Sequence, residues 1–387
     1  MESKATKQKH RTRSTKALKP TFNRVAVITE NKSQKRFDYG KGNTLPNTLL
    51  KGIEASITAT ACRGKKQEFI EGNGIKDQDV ALMVVNPDQT GDDLITELSD
   101  VVGVFDGLVL VVKFNAEGVR KYVYNLPFEL VRKTTGDQYY YNEGLAKGKD
   151  VKKERVYYKE YDPTETPQSR LKRIGEQIEE YGFQTGDIIY SYNKKAGQKE
   201  YPVPTAWSGM EEIEADAALG FMDWRNVKKG FRPDAILTTV GTLDNETEDE
   251  FGKTEQDYFD KDLEAFTGED AAPIMHINVD SVEEAPKLET FNQEKVLNST
   301  TEAADRIGRR VCRAMEVPEV LVPGFAKTGQ LGNVQEMENT LKMFQRTIGR
   351  KQRMITRALS RVYPTLDWTI EQLELIKPET TETTEPT

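Results

Sequence analysis

Apolar residues recur at Trp207, Met210, Ile213, Ala217, Phe221, Trp224 and Val227, with spacings of three and four throughout. That is one face of a 3.6-residue helix. Pro202 and Pro204 hold the approach extended, because a residue before proline is pushed out of the α region. Thr205 is the expected N-cap, and Glu211, Glu212 and Glu214 place acids in the early turns. Lys228 and Lys229 fill the last turn, Gly230 suits a left-handed close, and Pro233 disfavours continuation. About 25 residues at ~1.5 Å each make a rod of roughly 35–40 Å. The stripe reads either as the core face of a helix in an ordinary domain or as one face of a stiff rod in an assembling subunit.

A second long helix is predicted near the C-terminus. Val334, Met337, Leu341, Phe344, Ile348, Ile355, Leu359 and Val362 recur at three and four, with one gap of seven, which is close to a heptad pattern. A second stripe is cationic: Lys342, Arg346, Arg350, Arg353, Arg357 and Arg361. It reads either as a solvated face or as a surface presented to DNA or to the acidic face of a neighbour. Pro364 ends the helix.

Shorter patterns fill the rest. A helix places Leu49, Leu50, Ile53, Ile57 and Ala61 inward, and another over 168–181 carries Leu171, Ile174 and Ile178. A helix over about 293–315 turns Val296, Ile307 and Val311 inward. Val25–Ile28 and Ala235–Val240 read as strands, and Val80–Val85 as a buried apolar stretch. Residues 104–160 alternate apolar and polar, are rich in Val and Tyr, and are punctuated by Gly107, Gly118 and Gly136, which favours antiparallel β. The class expected is α+β.

Composition changes this picture in two ways. The 387 residues are 36% hydrophobic and 30% charged, with a mean hydropathy of -0.67. That is lean for one globule and suits an elongated subunit. No apolar run approaches the ~20 residues that span a bilayer, and no membrane association is expected. Two cysteines 250 positions apart, Cys62 and Cys312, make no disulfide framework and point to assembly inside a cell.

The net charge of -8 conceals patterning. Residues 1–25 form a basic arm expected to be disordered, with seven Lys/Arg against one acid in the first twenty. It reads as a solubilising tail or as a contact to nucleic acid or an acidic partner. Residues 244–270 carry twelve acids against Lys253 and Lys261, a solvated block by default. Residues 378–387 are low in complexity and expected to be unstructured.

Catalytic chemistry is sparse. The histidines are His10, in the basic arm, and His276, isolated in an apolar run. Neither a catalytic residue nor a metal ligand set stands out, and no cofactor is expected. Gly72–Asp77 lacks the third glycine of a dinucleotide fingerprint. Gly324–Gln330 has two P-loop glycines, but Gln330 and Leu331 stand where Lys and Ser/Thr must reach phosphate and Mg²⁺.

Several segments together resemble the portal proteins of tailed phages, especially the compact portals of phages of Bacteroidetes. They are Asn47–Ile57 and the glycine-marked turn Phe69–Gly74, Gly107–Gly118 with Tyr124–Arg132, Gly186–Tyr190 before the Pro-rich turn at 201–204, Val317–Gly324, and Gly332–Asn333 opening the last helix. They cover roughly residues 45 to 362. The resemblance implies a wing over 26–205, stem and clip over 206–285, a wing return and tunnel loop over 286–332, and a C-terminal helix with a small crown over 333–377. It implies a homo-oligomeric ring, a dodecamer, at one capsid vertex of a virion assembled in the host cytoplasm. Double-stranded DNA would pass through its channel during packaging and ejection. The terminase large subunit, the major capsid protein and a head-completion or adaptor protein would be its partners. By position Phe325, Lys327, Thr328 and Gln330 would form the loop that narrows the channel. The rival readings are another ring-forming head-tail connector, a carboxylate-dependent nuclease, and a basic-armed nucleic-acid-binding protein.

Overall fold

Gly107–Phe114 (β5) is an apolar run interrupted only at Lys113, and every residue but that lysine is buried. An unbroken run of this kind marks a central strand covered on both faces. The computed structural model, which describes residues 28–136, 138–196, 200–229, 236–240, 275–279, 293–324 and 334–373, places it second in a six-stranded sheet. The sheet also contains Arg120–Asn125 (β6), Val131–Lys133 (β7), Gln138–Tyr141 (β8), Val156–Glu160 (β9) and Asp187–Tyr192 (β10), in the order β6-β5-β10-β9-β8-β7, while Ile28–Asn31 (β1) pairs with Arg36–Tyr39 (β2), and Gln89–Thr90 (β4) with Val84–Asn86 (β3), as separate hairpins. Three pairs within 104–160 are antiparallel, as the alternation predicts. The pattern did not predict β10, which inserts between β5 and β9 and pairs in parallel with β9. A parallel pair needs a crossover, and Pro167–Tyr181 (α5) lies within it.

The helix expected around 47–61 is two helices, Leu45–Ala55 (α1) and Ile57–Glu71 (α2). Ser56 is extended (φ -98, ψ 123), and its hydroxyl accepts from the Ala59 N–H as an N-cap. The break resets the helical phase. Leu49 and Ile53 are buried while Ile57 is 80% exposed, contrary to the inward placement expected for it. Val80–Val85 is also only partly buried. It is divided between a one-turn helix, Gln78–Ala81 (α3), and a short strand, Val84–Asn86 (β3), which leaves Leu82 and Val84 exposed. Gly91–Phe105 (α4) follows, opened by a capping box in which Thr90 and Asp93 satisfy each other's backbone N–H.

α2 is the hub of the helical layer. It packs on α1, α4, Met210–Lys229 (α6), Gln293–Ala314 (α7) and Val334–Val362 (α8), and buries Cys62, Lys66, Phe69 and Ile70. α4 and α8 both pack onto β5. After α8 the chain folds back: Asn73 and Lys76 donate to the carbonyls of Glu371 and Thr369, at 2.9 Å each, and Trp368 is fully buried. This explains the glycine turn after α2. Gly72 has φ 64, and a Cβ there would lie 2.0 Å from the Glu371 carbonyl oxygen.

α5 reverses the expected polarity. Arg170 and Gln177 are buried, while Leu171 and Ile178 are exposed and Ile174 is only partly covered. The inward Arg170 donates to the carbonyls of Gly118, Asp162 and Glu165 (3.0–3.2 Å) and lies over the Phe114 ring. Its neighbour Arg173 pairs with Glu165 and Asp187. Guanidinium geometry, with five donors in a fixed fork, explains why an arginine can anchor this helix in place of a leucine.

Candidate functional site

Two features of the sequence reading bear on function within the described residues: the long helix around 205–229 and the cationic stripe near the C-terminus. The structure joins them through one carboxylate.

The stripe lies on α8, with its apolar and basic faces separated as the spacing predicts. Leu341, Phe344, Ile348, Ile355, Leu359 and Val362 are buried, while Lys342, Arg346, Arg350, Arg353, Arg357 and Arg361 are all exposed. Lys342 lies 3.6 Å from Glu338, and Arg361 lies 3.7 Å from Glu160 and donates to the Tyr161 carbonyl at 3.1 Å. Arg353 donates to the Gly349 carbonyl one turn back. Among the described residues no carboxylate pairs with Arg346, Arg350, Arg353 or Arg357. Those four follow one another at four, three and four residues, so they rise about 16 Å along the helix. A duplex presents one phosphate charge per ~1.7 Å of its axis, and a row of unpaired guanidiniums suits such a polyanion.

The gap of seven between Ile348 and Ile355 is where sequence reasoning missed a residue. The inward positions there are Lys351 and Gln352, both buried. Gln352 donates to the Ile70 carbonyl at the end of α2 (3.1 Å). Lys351 forms a buried ion pair with Asp106. Asp106 closes α4 in the left-handed conformation (φ 55), and its Oδ2 also accepts from the backbone N–H (2.9 Å) and hydroxyl (2.7 Å) of Thr205. One carboxylate therefore ties the end of α4, the middle of α8 and the turn that launches α6.

Thr205 is accordingly not the N-cap expected for α6. Residues Thr205–Gly209 form a 3₁₀ turn, α6 begins at Met210, and the Thr205 hydroxyl is a donor committed to Asp106.

The electrostatics follow from burial. Desolvation opposes the charge on Asp106, but Lys351, Lys66 and the hydrogen bonds from Lys351 and Thr205 outweigh it and hold the carboxyl well below the usual range. Lys66, fully buried on α2, loses more than it gains. Burial and the Lys351 charge push it down to about 7, against the smaller pull of Asp106 and Glu316.

The apolar face of α6 is only half covered. Met210 and Ile213 are buried against α1 and α7. Asp216 accepts from the Ser56 hydroxyl (2.6 Å) and from the N–H and hydroxyl of Thr58 (3.2 and 3.0 Å), placing a carboxylate at the N-terminus of α2. Beyond it the core-face reading does not hold. Phe221, Met222 and Trp224 are 61%, 47% and 51% exposed, with Phe221 and Trp224 stacked on each other at 5.6 Å. Leu219 and Gly220 are still half-covered, a Cβ at Gly220 lying 4.0 Å from Ile57 at the start of α2, and exposure of the apolar face begins at Phe221. Ile236–Val240 (β11) and Met275–Val279 (β12), which contains His276, form a parallel pair.

The four tunnel-loop candidates Phe325, Lys327, Thr328 and Gln330 lie outside the described residues, as do the basic arm, the acidic block and the C-terminal tail. Gly324, with φ 92, is the last described residue before that loop. Among the described residues no three His, Cys, Asp or Glu side chains converge on a metal position, and no helix is long and apolar enough to cross a membrane.

No family model matches the sequence, and no curated protein matches it. Solved structures do. The fold is similar to a chain in the neck of an empty gene transfer agent particle computed with C6 symmetry, at 14% identity and a TM-score of 0.50, covering 87% of this chain and 84% of that one. It is similar to a chain in the neck of the native particle computed with C12 symmetry, also at 14% identity and a TM-score of 0.50, covering 82% and 80%. This likeness, running over most of both chains, shows that the chain shares the fold of a component of a gene transfer agent neck.

Proposed function

We propose that this chain is a structural subunit of the head-tail neck of a phage-like particle, and within that neck the portal: a closed homo-oligomeric ring at a capsid vertex through which double-stranded DNA is packaged and ejected. The observation that carries the reading is fold similarity over most of the chain to a component of a particle neck. The sequence resemblance to portal proteins points the same way from different evidence, the order of short motifs between residues 45 and 362. The exposed guanidiniums of α8 supply, among the described residues, a surface with the charge to meet a duplex. In this reading the terminase large subunit docks on the ring during packaging, the major capsid protein surrounds it, and a head-completion or adaptor protein follows.

Light scattering on the purified full chain tests the ring. Twelve copies of 43.9 kDa give a particle of about 530 kDa, and a species that stays at the mass of one chain at high concentration contradicts the proposal. The fold likeness favours equally a second reading, a ring-forming connector elsewhere in the neck. Binding of the terminase large subunit separates the two: a portal binds it and a connector does not.

A further inference from the structure

The chain has two cysteines in 387 residues, separated by 250 positions, and the fold brings their sulfurs to 3.9 Å. Both are fully buried. Cys62 lies on α2, the helix on which α1, α4, α6, α7 and α8 all converge. Cys312 lies near the end of α7, the helix by which the chain comes back to that hub. The start of α6 is packed against the same spot: a Cβ at Gly209 would fall 2.2 Å from the Cβ of Ala314. The pair therefore sits where the departing helix, the returning helix and the hub meet.

We infer that Cys62 and Cys312 form an oxidative modification site, a dithiol that a small-molecule disulfide converts to an intrachain disulfide, fastening α7 to α2. A disulfide needs its sulfurs at about 2.05 Å, so the pair at 3.9 Å has under 2 Å to close. The surroundings favour one sulfur as the attacking thiolate. The hydrogen bond donated by Cys62 raises the Cys62 thiol and lowers that of Cys312 below the ordinary value, while Glu319 and Asp216 oppose ionisation of Cys312. Lys66, one turn along α2, favours a thiolate at Cys62, against Asp216.

The Cys312 thiolate attacks one sulfur of the reagent, breaks its S–S bond and releases the first thiolate, which takes up the proton given by Cys312. Cys62, losing its proton to solvent, then attacks the Cys312 Sγ of this mixed disulfide and expels the second reagent thiolate, which is protonated in turn. One S–S bond is exchanged for another, and two electrons pass from the cysteines to the reagent. Because both sulfurs are buried, the first step waits on local parting of α7 from α2 and is slow. The site does not rest on the ring proposed above. If that ring is correct, the dithiol belongs to the reducing cell and the disulfide to the released particle.

The test uses the full chain purified in reductant, exposed to oxidised glutathione, alkylated in denaturant and weighed intact. The expected result is a loss of about 2 Da, with no alkylatable thiol and no glutathione adduct. A Cys62–Cys312 cross-linked peptide accompanies it. The oxidised form also melts about 5–10 °C higher, and the shift reverses on reduction and is missing in Cys62→Ser and Cys312→Ser. Two alkylatable thiols after exposure, both in buffer and in sub-denaturing urea that speeds local opening, overturn the inference. So do glutathione adducts at both cysteines or cross-links between chains. Light scattering on the reduced protein reports the ring separately, so either idea fails without the other.

Discussion

α6 and α8 look alike in sequence: each carries an apolar face at three-and-four spacing, charged residues elsewhere and a proline beyond its end. The structure treats them differently. α8 keeps its apolar face in the core as far as Val362, with the cations outward. α6 leaves the core after its second turn, with Ile213 fully buried and Phe221 61% exposed. Periodicity shows that a face is built to be covered; it does not say whether the covering comes from the same chain. Where the helical layer beneath ends, the pattern continues without it.

The joint between the two helices carries the largest expected effect. Asp106→Ala leaves Lys351 and Lys66 buried without their carboxylate and removes the acceptor for Thr205, so it should cost about 3–5 kcal/mol in urea unfolding. A loss under 1 kcal/mol would mean that Asp106 does not tie α4, α6 and α8 together. Next is Leu359→Ala on the buried face of α8, which should cost about 2–5 kcal/mol.

Lys66 sharpens the comparison through pH. Its folded pKa, about 7, lies below its ordinary value of 10.5, so between those values the unfolded chain binds the extra proton. Its contribution to stability therefore rises with pH across that window and is least below about 7. Lys66→Met should flatten the rise when unfolding is measured at pH 7 and pH 10; an unchanged slope would show that Lys66 stays charged in the folded state. Phe221→Ala, the counterpart of Leu359→Ala on the exposed stretch of α6, should change single-chain stability by less than about 1 kcal/mol. A larger loss would put that face in a core.

The smallest effect on stability is expected from Arg346, Arg350, Arg353 and Arg357 changed together to Gln, within about 0.5 kcal/mol per site. Their effect on DNA is the informative readout. Each phosphate deprived of its guanidinium should reduce the slope of log affinity against log salt by about 0.9, and an unchanged slope would remove α8 from the DNA-facing surface.

The long helices, the class and the two faces of α8 were legible because each is a local pattern repeated over many turns. The partner of each face was not. The interruption between Ile348 and Ile355 was visible as spacing, but that it holds Lys351 in the core follows only from Asp106, 245 positions away. Thr205 has the residue type of an N-cap, and a distant carboxylate claims its hydroxyl instead. α5 shows the same limit in reverse: Arg170 is inward because the loop carbonyls of Gly118, Asp162 and Glu165 converge on it, which no spacing within 167–181 reveals. β10 falls on a segment marked only by the family resemblance, Gly186–Tyr190, and its place between β5 and β9 depends on long-range pairing. Cys62 and Cys312 looked unrelated for the same reason.

Electron microscopy of the purified full chain tests the central claim most directly. The account predicts annular particles of fixed copy number around an axial hole wide enough to admit a duplex. Single chains, or closed particles with no axial hole, in every condition imaged would contradict it.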